Sequence, residues 1–334
     1  MKPWEFEQKQ SLPYDEKIAH AEQKAWEFYN RLQGDVCCSV GGLDSITLLH
    51  FLRRYTNKKI PGVSVSALED RSIQRIHRQM ENMVFLTPYK SKVQIIKEFG
   101  YPVISKMKAR KIEHLQKPDN PKQTYIHALF TGDMGAQGKY KHSDKIKLPD
   151  KWLKLFGGLY NNKHRPDLEC AIAPFKVSDR CCYWMKEKPA DDFAKQNGLS
   201  PYLGLMASEG GQRRLGLMKN GCNYYGKTVT RSCPFAIFSK TDLLQLALDL
   251  KVPVPDIYGE IIKLPDGTLD TTRAKRTGCT MCGFGIHIEK RPHRFDRLRE
   301  DNPKEWSFWM YKMGWGQVLD YIGVKWEEPY SPAS

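Results

Sequence analysis

Apolar side chains recur at helical spacing in residues 15 to 33, DEKIAHAEQKAWEFYNRLQ, where Ile18, Ala21, Ala25, Phe28 and Leu32 share a face and Gly34 follows as a stop. This predicts a leading amphipathic helix. Val36 to Val40 is a short apolar run that reads as a buried strand. Two glycines break it, and Ile46, Leu48, Leu49 and Leu52 then supply the apolar positions of a helix from about Ser45 to Tyr55. GVSVSAL (62 to 68), RSIQRIHRQM, VFLTP and KVQIIKEFG continue the alternation as strand, helix, strand and helix. Strand and helix at βαβ spacing predict an α/β protein with a doubly wound, mostly parallel sheet.

From about 107 to 165 the texture changes. KMKARKIEHLQKPDNPKQ and QGKYKHSDKIKLPDKW are lysine-rich and weakly apolar, which predicts an exposed helical insertion or lid. Periodicity returns with PYLGLMAS (201 to 208), a strand, and SKTDLLQLALDLKV (239 to 252), a helix with Ser239 or Thr241 near its N-cap and Asp242 in its first turn. The tail, RFDRLREDNPKEWSFWMYKMGWGQVLDYIGV, reads as helical pieces closing over a cysteine-bearing region.

Composition narrows the function classes. The chain has 334 residues, 40% of them hydrophobic, enough for one large core or two modest ones. It has no run of eighteen apolar residues, and MKPWEFEQKQSLPYDEK lacks the apolar stretch of a secretion signal, so no membrane is expected and the cytoplasm is the expected compartment. Lys and Arg number 53 against 38 Asp and Glu, a net charge of +15, which calls for an anionic partner such as nucleotide phosphates or nucleic acid, or simply for solubility. Nine cysteines, an odd number unevenly spaced, fit reduced thiols or metal ligands better than a disulfide framework.

The chemistry concentrates in two places. In CSVGGLDS a strand runs into Gly41 and Gly42 and then into Asp44 and Ser45 at a helix N-terminus. Backbone amides and the helix dipole make an anion cradle at such a break. Neither G-x-x-x-x-G-K-[ST] nor G-x-G-x-x-G is present here, which argues against a kinase-type or dinucleotide grip. The second place is a cysteine constellation. Cys181 and Cys182 are adjacent in DRCCYWMKEKP, and Cys279 and Cys282 have C-x-x-C spacing in KRTGCTMCGFG, with glycines that let the backbone fold around a metal. Iron–sulfur, zinc and plain buried thiols all fit that spacing. Cys37, Cys38 and Cys170 read as core or incidental residues.

The loop resembles the PP-loop, S-G-G-x-D-S, of the adenine nucleotide alpha-hydrolase superfamily, with Gly41, Gly42, Asp44 and Ser45 matching, Val40 at the first Ser position and Ser39 one place earlier. Together with Cys-Cys before MKEKP, GYPVISK, LMASEGGQRR, NGCNYYGK, DIYGEI and RTGCTMCGFGIH, the chain is similar to phosphoadenosine phosphosulfate (PAPS) reductase-like proteins of phages and gut bacteria from about 35 to 300, apart from the lysine-rich insertion. The resemblance implies a nucleotide-binding α/β domain at 35–106 and 166–260, preceded by an N-terminal helix at 1–34. The change of texture marks a basic insertion at 107–165, and a C-terminal iron–sulfur and helical region at 261–334 completes the expected organisation. It implies a 4Fe-4S cluster on Cys181, Cys182, Cys279 and Cys282, with Cys222 and Cys233 as alternative ligands and Lys186 and Lys188 beside it.

It also implies an adenine nucleotide, ATP or PAPS or adenylylsulfate, with Mg²⁺. Ser39, Val40, Gly41, Gly42, Asp44, Ser45, Arg213 and Arg214 would meet its phosphates or sulfate, Ser66 and Leu68 its base, and Asp44, Ser45 and Lys106 would act in catalysis. A sulfonucleotide reductase needs a mobile attacking cysteine near its C-terminus, and no cysteine follows Cys282. The expectation is therefore ATP cleavage to AMP and pyrophosphate, for adenylation or sulfur transfer. The alternatives are a reductase that takes its thiol from Cys222, Cys233 or a partner, and a non-catalytic accessory protein of a mobile element whose basic insertion contacts DNA or tRNA.

Overall fold

The computed structural model describes residues 3–65, 69–135, 143–275 and 277–328. The chain forms two units. One comprises Met1–Tyr89 and Met185–Thr280, the other Lys90–Trp184 and Met281–Ser334. Each has its own hydrophobic core. No helix among the described residues is long and apolar enough to cross a membrane.

The first unit is built on a mixed, mostly parallel sheet. Its strands are β1 (Val36–Ser39), β2 (Gly62–Ser64) and β3 (Met83–Phe85) and, after the short β4 (Val103–Ile104) of the other unit, β5 (Ser200–Leu203), β6 (Asn223–Tyr225) and β7 (Thr230–Ser232). They lie in the order β3-β2-β1-β5-β7-β6, and every neighbouring pair is parallel except β6 with β7. β1 is central: Cys38 faces Gly62 of β2 on one side and Tyr202 of β5 on the other. A strand enclosed in this way reads as a continuous apolar run, and Val36, Cys37 and Cys38 are all buried. The helices α1 (Pro3–Gln10), α2 (Tyr14–Arg31), α3 (Leu43–Tyr55) and α4 (Arg71–Gln79) belong to this unit. α3 buries seven side chains, Leu43, Ile46, Thr47, Leu48, Leu49, Phe51 and Leu52, so the turn that feeds it is fixed by core packing.

Two elements of this unit differ from the sequence reading. The strand expected over 201 to 208 stops at Leu203, and a 3₁₀ turn at Ala207–Glu209 replaces its second half. A Cβ on Gly204 would lie 3.1 Å from the Asp44 carbonyl oxygen and the Ser45 Cα, so the chain turns where it meets the start of α3. The stretch after 260 opens with an antiparallel hairpin, β8 (Ile261–Lys263) with β9 (Leu269–Thr271), for which the sequence reading predicts no strands. Of the strand expected over 62 to 68, residues 66–68 lie outside the described residues.

In the second unit the lysine-rich stretch is not a solvated appendage. Its helices Lys106–Leu115, Gln123–Thr131 and Asp150–Phe156 bury Ile112, Leu115, Leu129, Phe130 and Leu153 completely. Those side chains share a core with Phe295, Trp306 and Trp315 from the C-terminal helices. Lysines between short runs such as YIHALF and WLKLF dilute the average hydropathy and hide the apolar stripe. β4 pairs in parallel with β10 (Gly283–Phe284), joining the two ends of this unit.

Candidate functional site

The sheet order reverses at β1. β2 and β3 extend to one side and β5, β7 and β6 to the other, so the loops leaving β1 and β5 diverge and open a crevice at their carboxyl ends. The Gly41–Ser45 loop sits there. Ser45 Oγ accepts the Gly41 amide at 2.7 Å and donates to the Gly42 carbonyl at 3.0 Å, closing the turn on itself. The Leu43 amide donates to Tyr258 Oη at 3.1 Å, and that hydroxyl also meets Thr277 Oγ1 at 2.9 Å.

Neither loop glycine has a positive φ; the need is for space. A Cβ on Gly42 would collide with Tyr258 Oη and stand 3.1 Å from Thr277 Oγ1. A Cβ on Gly41 would stand 3.3 Å from Glu69 Oε1.

The loop is braced from beneath by His77 of α4, which is fully buried. Its Nε2 lies 2.8 Å from the Gly41 carbonyl oxygen and its Nδ1 lies 3.2 Å from Ser64 Oγ. A carbonyl only accepts, so Nε2 carries the proton and Nδ1 accepts from Ser64. Burial holds the ring below its ordinary pKa, against the raising effect of the Gly41 carbonyl, and keeps this tautomer neutral.

Two cavities flank the loop. On the β2 side, about 200 Å³ is lined by Ser39, Val40, Gly41, Ser64, Glu69 and Lys186. On the β5 side, about 410 Å³ is lined by residues that include Asp44, Ser208, Glu209, Lys240, Asp270 and Lys275. Lys240 Nζ lies 3.4 Å from Asp44 Oδ1. Burial raises the Asp44 carboxyl above its ordinary pKa, opposed by Lys240 and reinforced by Glu209. Lys186 is bonded to Glu69 and Cys279. Burial works against its charge, but Cys279 and Glu69 outweigh burial and raise its pKa. The arrangement presents three lysines, Lys186, Lys240 and Lys275, and four carboxylates, Asp44, Glu69, Glu209 and Asp270, around one break in the sheet, a mixed-charge setting in which the lysines can meet a phosphorylated ligand.

Arg213 pairs with Glu209, while Arg214 pairs with Glu7 of α1 at 2.7 Å. Ser66 and Leu68 lie outside the described residues, and Lys106 opens a helix of the second unit. Cys279 belongs to the first unit, and Cys181, Cys182 and Cys282 to the second. Among the described residues no group of three or more His, Cys, Asp or Glu side chains is gathered as a metal ion would need. Cys222 and Cys233 are buried, and burial pushes their thiols up to about 11 and about 12. Cys37, in the first strand, is pushed up to about 12 by burial alone. Such thiols stay protonated and are poor nucleophiles. Lys188 pairs with Asp192 at 2.8 Å.

Sequence reasoning missed Tyr258, Thr277, His77, Glu69 and Lys240. Tyr258 and Thr277 lie in DIYGEI and RTGCTMCGFGIH, two of the stretches that carry the resemblance, and Lys240 is the first residue after the Ser239 cap.

No family model matches the chain. Zinc finger CCCH domain-containing protein 14 of mouse is 25% identical over 138 residues, 41% of this chain and 18% of that protein, so the chain spans less than a fifth of its length. Among solved structures, the chain is similar to the phosphate complex of phosphoadenylyl-sulfate (PAPS) reductase from Candida auris. That similarity has 10% identity and a TM-score of 0.35, over 74% of this chain and 91% of that one. At these levels neither likeness assigns a family.

Proposed function

We propose that the first unit binds an adenine nucleotide at the Gly41–Ser45 loop and cleaves ATP between its α- and β-phosphates. The observation that carries this reading is the glycine turn at the amino end of α3, where Tyr258 Oη fills the space beside Gly42 and holds the Leu43 amide, with a cavity on each side of the loop. The cavity beside β2 takes the nucleoside side of the ligand, and the larger one, where Lys240 and Lys275 stand among Asp44, Glu209 and Asp270, takes the pyrophosphate of Mg·ATP with its cation toward the carboxylates. An acceptor oxygen attacks the α-phosphorus, the bond to the bridging oxygen breaks, and the pyrophosphate leaves with the electron pair. Loop amides and Lys240 stabilise the charge that grows on it.

Tyr258 Oη occupies the Leu43 amide in this structure and is displaced when a phosphate oxygen takes that bond. [α-³²P]ATP incubated with the full chain yields labelled AMP and an equal amount of pyrophosphate. Unchanged ATP together with no measurable ATP binding would overturn the proposal.

PAPS or adenylylsulfate fits the same loop with a sulfate in place of the pyrophosphate. The raised thiol pKa values of Cys222 and Cys233 speak against those two as attacking groups in a reductase. A 4Fe-4S cluster on Cys181, Cys182, Cys279 and Cys282 is a separate proposal, drawn from the sequence resemblance. The described residues gather no such ligand set, so no step here runs through it. Iron and acid-labile sulfide measured on anaerobically purified protein test it independently of the loop.

A further inference from the structure

A cavity of about 540 Å³ opens in the first unit beside α1, α2 and the start of β6, and shares no lining residue with the two cavities at the loop. Its wall is cationic. Lys9 comes from α1, Lys24 and Arg31 from α2, and the one carboxylate is Glu27, so three cations against one acid leave two net positive charges. Lys24 pairs with Glu27 at 2.7 Å, which cancels that couple, and the Arg31 guanidinium lies 4.0 Å above the centre of the Tyr225 ring.

The wall is also fixed in place. Asn223 Nδ2 donates to the Lys24 carbonyl at 3.0 Å, tying the α2 side of the cavity to the edge strand, and the Cys233 amide donates to the Cys222 carbonyl at 2.7 Å behind it. Cations held around a cavity of this size cost self-repulsion in the free protein, which an anion would relieve.

His20 reports on that repulsion. Both ring nitrogens are buried without a hydrogen-bond partner among the described residues. Burial first, then Lys9 and Lys24, push its pKa down to about 4. Glu27 opposes the lysines, and Cys222 and Tyr225 complete the titratable groups on the facing wall.

We propose that this cavity is a second anion site, distinct from the loop, which takes the phosphate group of a small molecule between Lys9, Lys24 and Arg31. An occupant would neutralise the lysines and relieve their hold on His20.

The test uses the full chain and follows the His20 ring protons by NMR, assigned with His20→Gln, while pH is varied with and without inorganic phosphate or AMP. The proposal expects either ligand to raise the apparent pKa of His20. It expects Gly42→Ala to leave that response intact, and Lys9→Gln combined with Lys24→Gln to weaken binding at this site at least ~10-fold, as losing two charge contacts should. Tighter binding of AMP would identify a nucleoside monophosphate, and equal binding a bare oxyanion. Thermal melting shows that the double variant folds. A His20 titration indifferent to both ligands in the wild type, or wild-type affinity at this site in a folded double variant, would overturn it.

Discussion

Tyr258 and Gly42 fix each other's identity: the tyrosine hydroxyl accepts the Leu43 amide at 3.1 Å in space that any Cβ at position 42 would occupy. The contact joins the first crossover of the sheet to a segment more than two hundred residues later in the chain. Gly42→Ala must expel the hydroxyl, which costs about 1–3 kcal/mol in overpacking. It should lower the melting temperature and weaken ATP binding at least ~10-fold, about 1.4 kcal/mol. Calorimetric titration and thermal melting check both.

Tyr258→Phe separates the two consequences. The Leu43 amide loses its acceptor in the free protein, a cost of about 1–3 kcal/mol. A phosphate oxygen restores that bond in the complex, so nucleotide affinity should hold or rise while the free protein melts earlier. Parallel losses in affinity and stability would show that the hydroxyl contacts the ligand instead.

Lys17 and Asp242 form a nearly buried ion pair at 2.7 Å, with side chains 8% and 12% exposed. Asp242 also completes the capping box with Ser239 that begins the helix carrying Lys240. Lys17→Met leaves that carboxylate buried without its cation and should cost about 3–5 kcal/mol. Denaturant unfolding measures it.

The pH dependence of stability has two opposed parts. Burial lowers the pKa of His50, His77, His114, His164 and His287, and takes His20 down to about 4. The unfolded chain therefore binds more protons than the folded one below the ordinary value of 6.5. Stability is fully present above that pH and falls as the solution becomes more acidic. Asp44 works in the other direction. Its raised pKa means that the folded state holds the proton more tightly, so its contribution is lost as pH rises above the ordinary 3.8. Asp44→Asn should raise the melting temperature at pH 7 relative to wild type and leave the acid-side decline in place.

Much of the first unit was legible in the sequence because its signals are local. The run at Val36–Ser39, the apolar face of Tyr14–Arg31 and the Ser239 cap each specify their element within a few residues. The glycine break was legible for the same reason. What holds the break was not. Tyr258 lies in the short stretch DIYGEI and His77 in an ordinary amphipathic helix, and only the folded chain brings either to the loop. The second unit was misread because its aromatic core residues, Trp152, Phe295, Trp306 and Trp315, come from segments that look polar when averaged.

Binding of [α-³²P]ATP by equilibrium dialysis, wild type beside Gly42→Ala, tests the account most directly. Saturable binding of one nucleotide per chain to the wild type, displaced by pyrophosphate and lost in the variant, is the predicted result. Equal binding by both proteins, or none by a folded wild type, would contradict it.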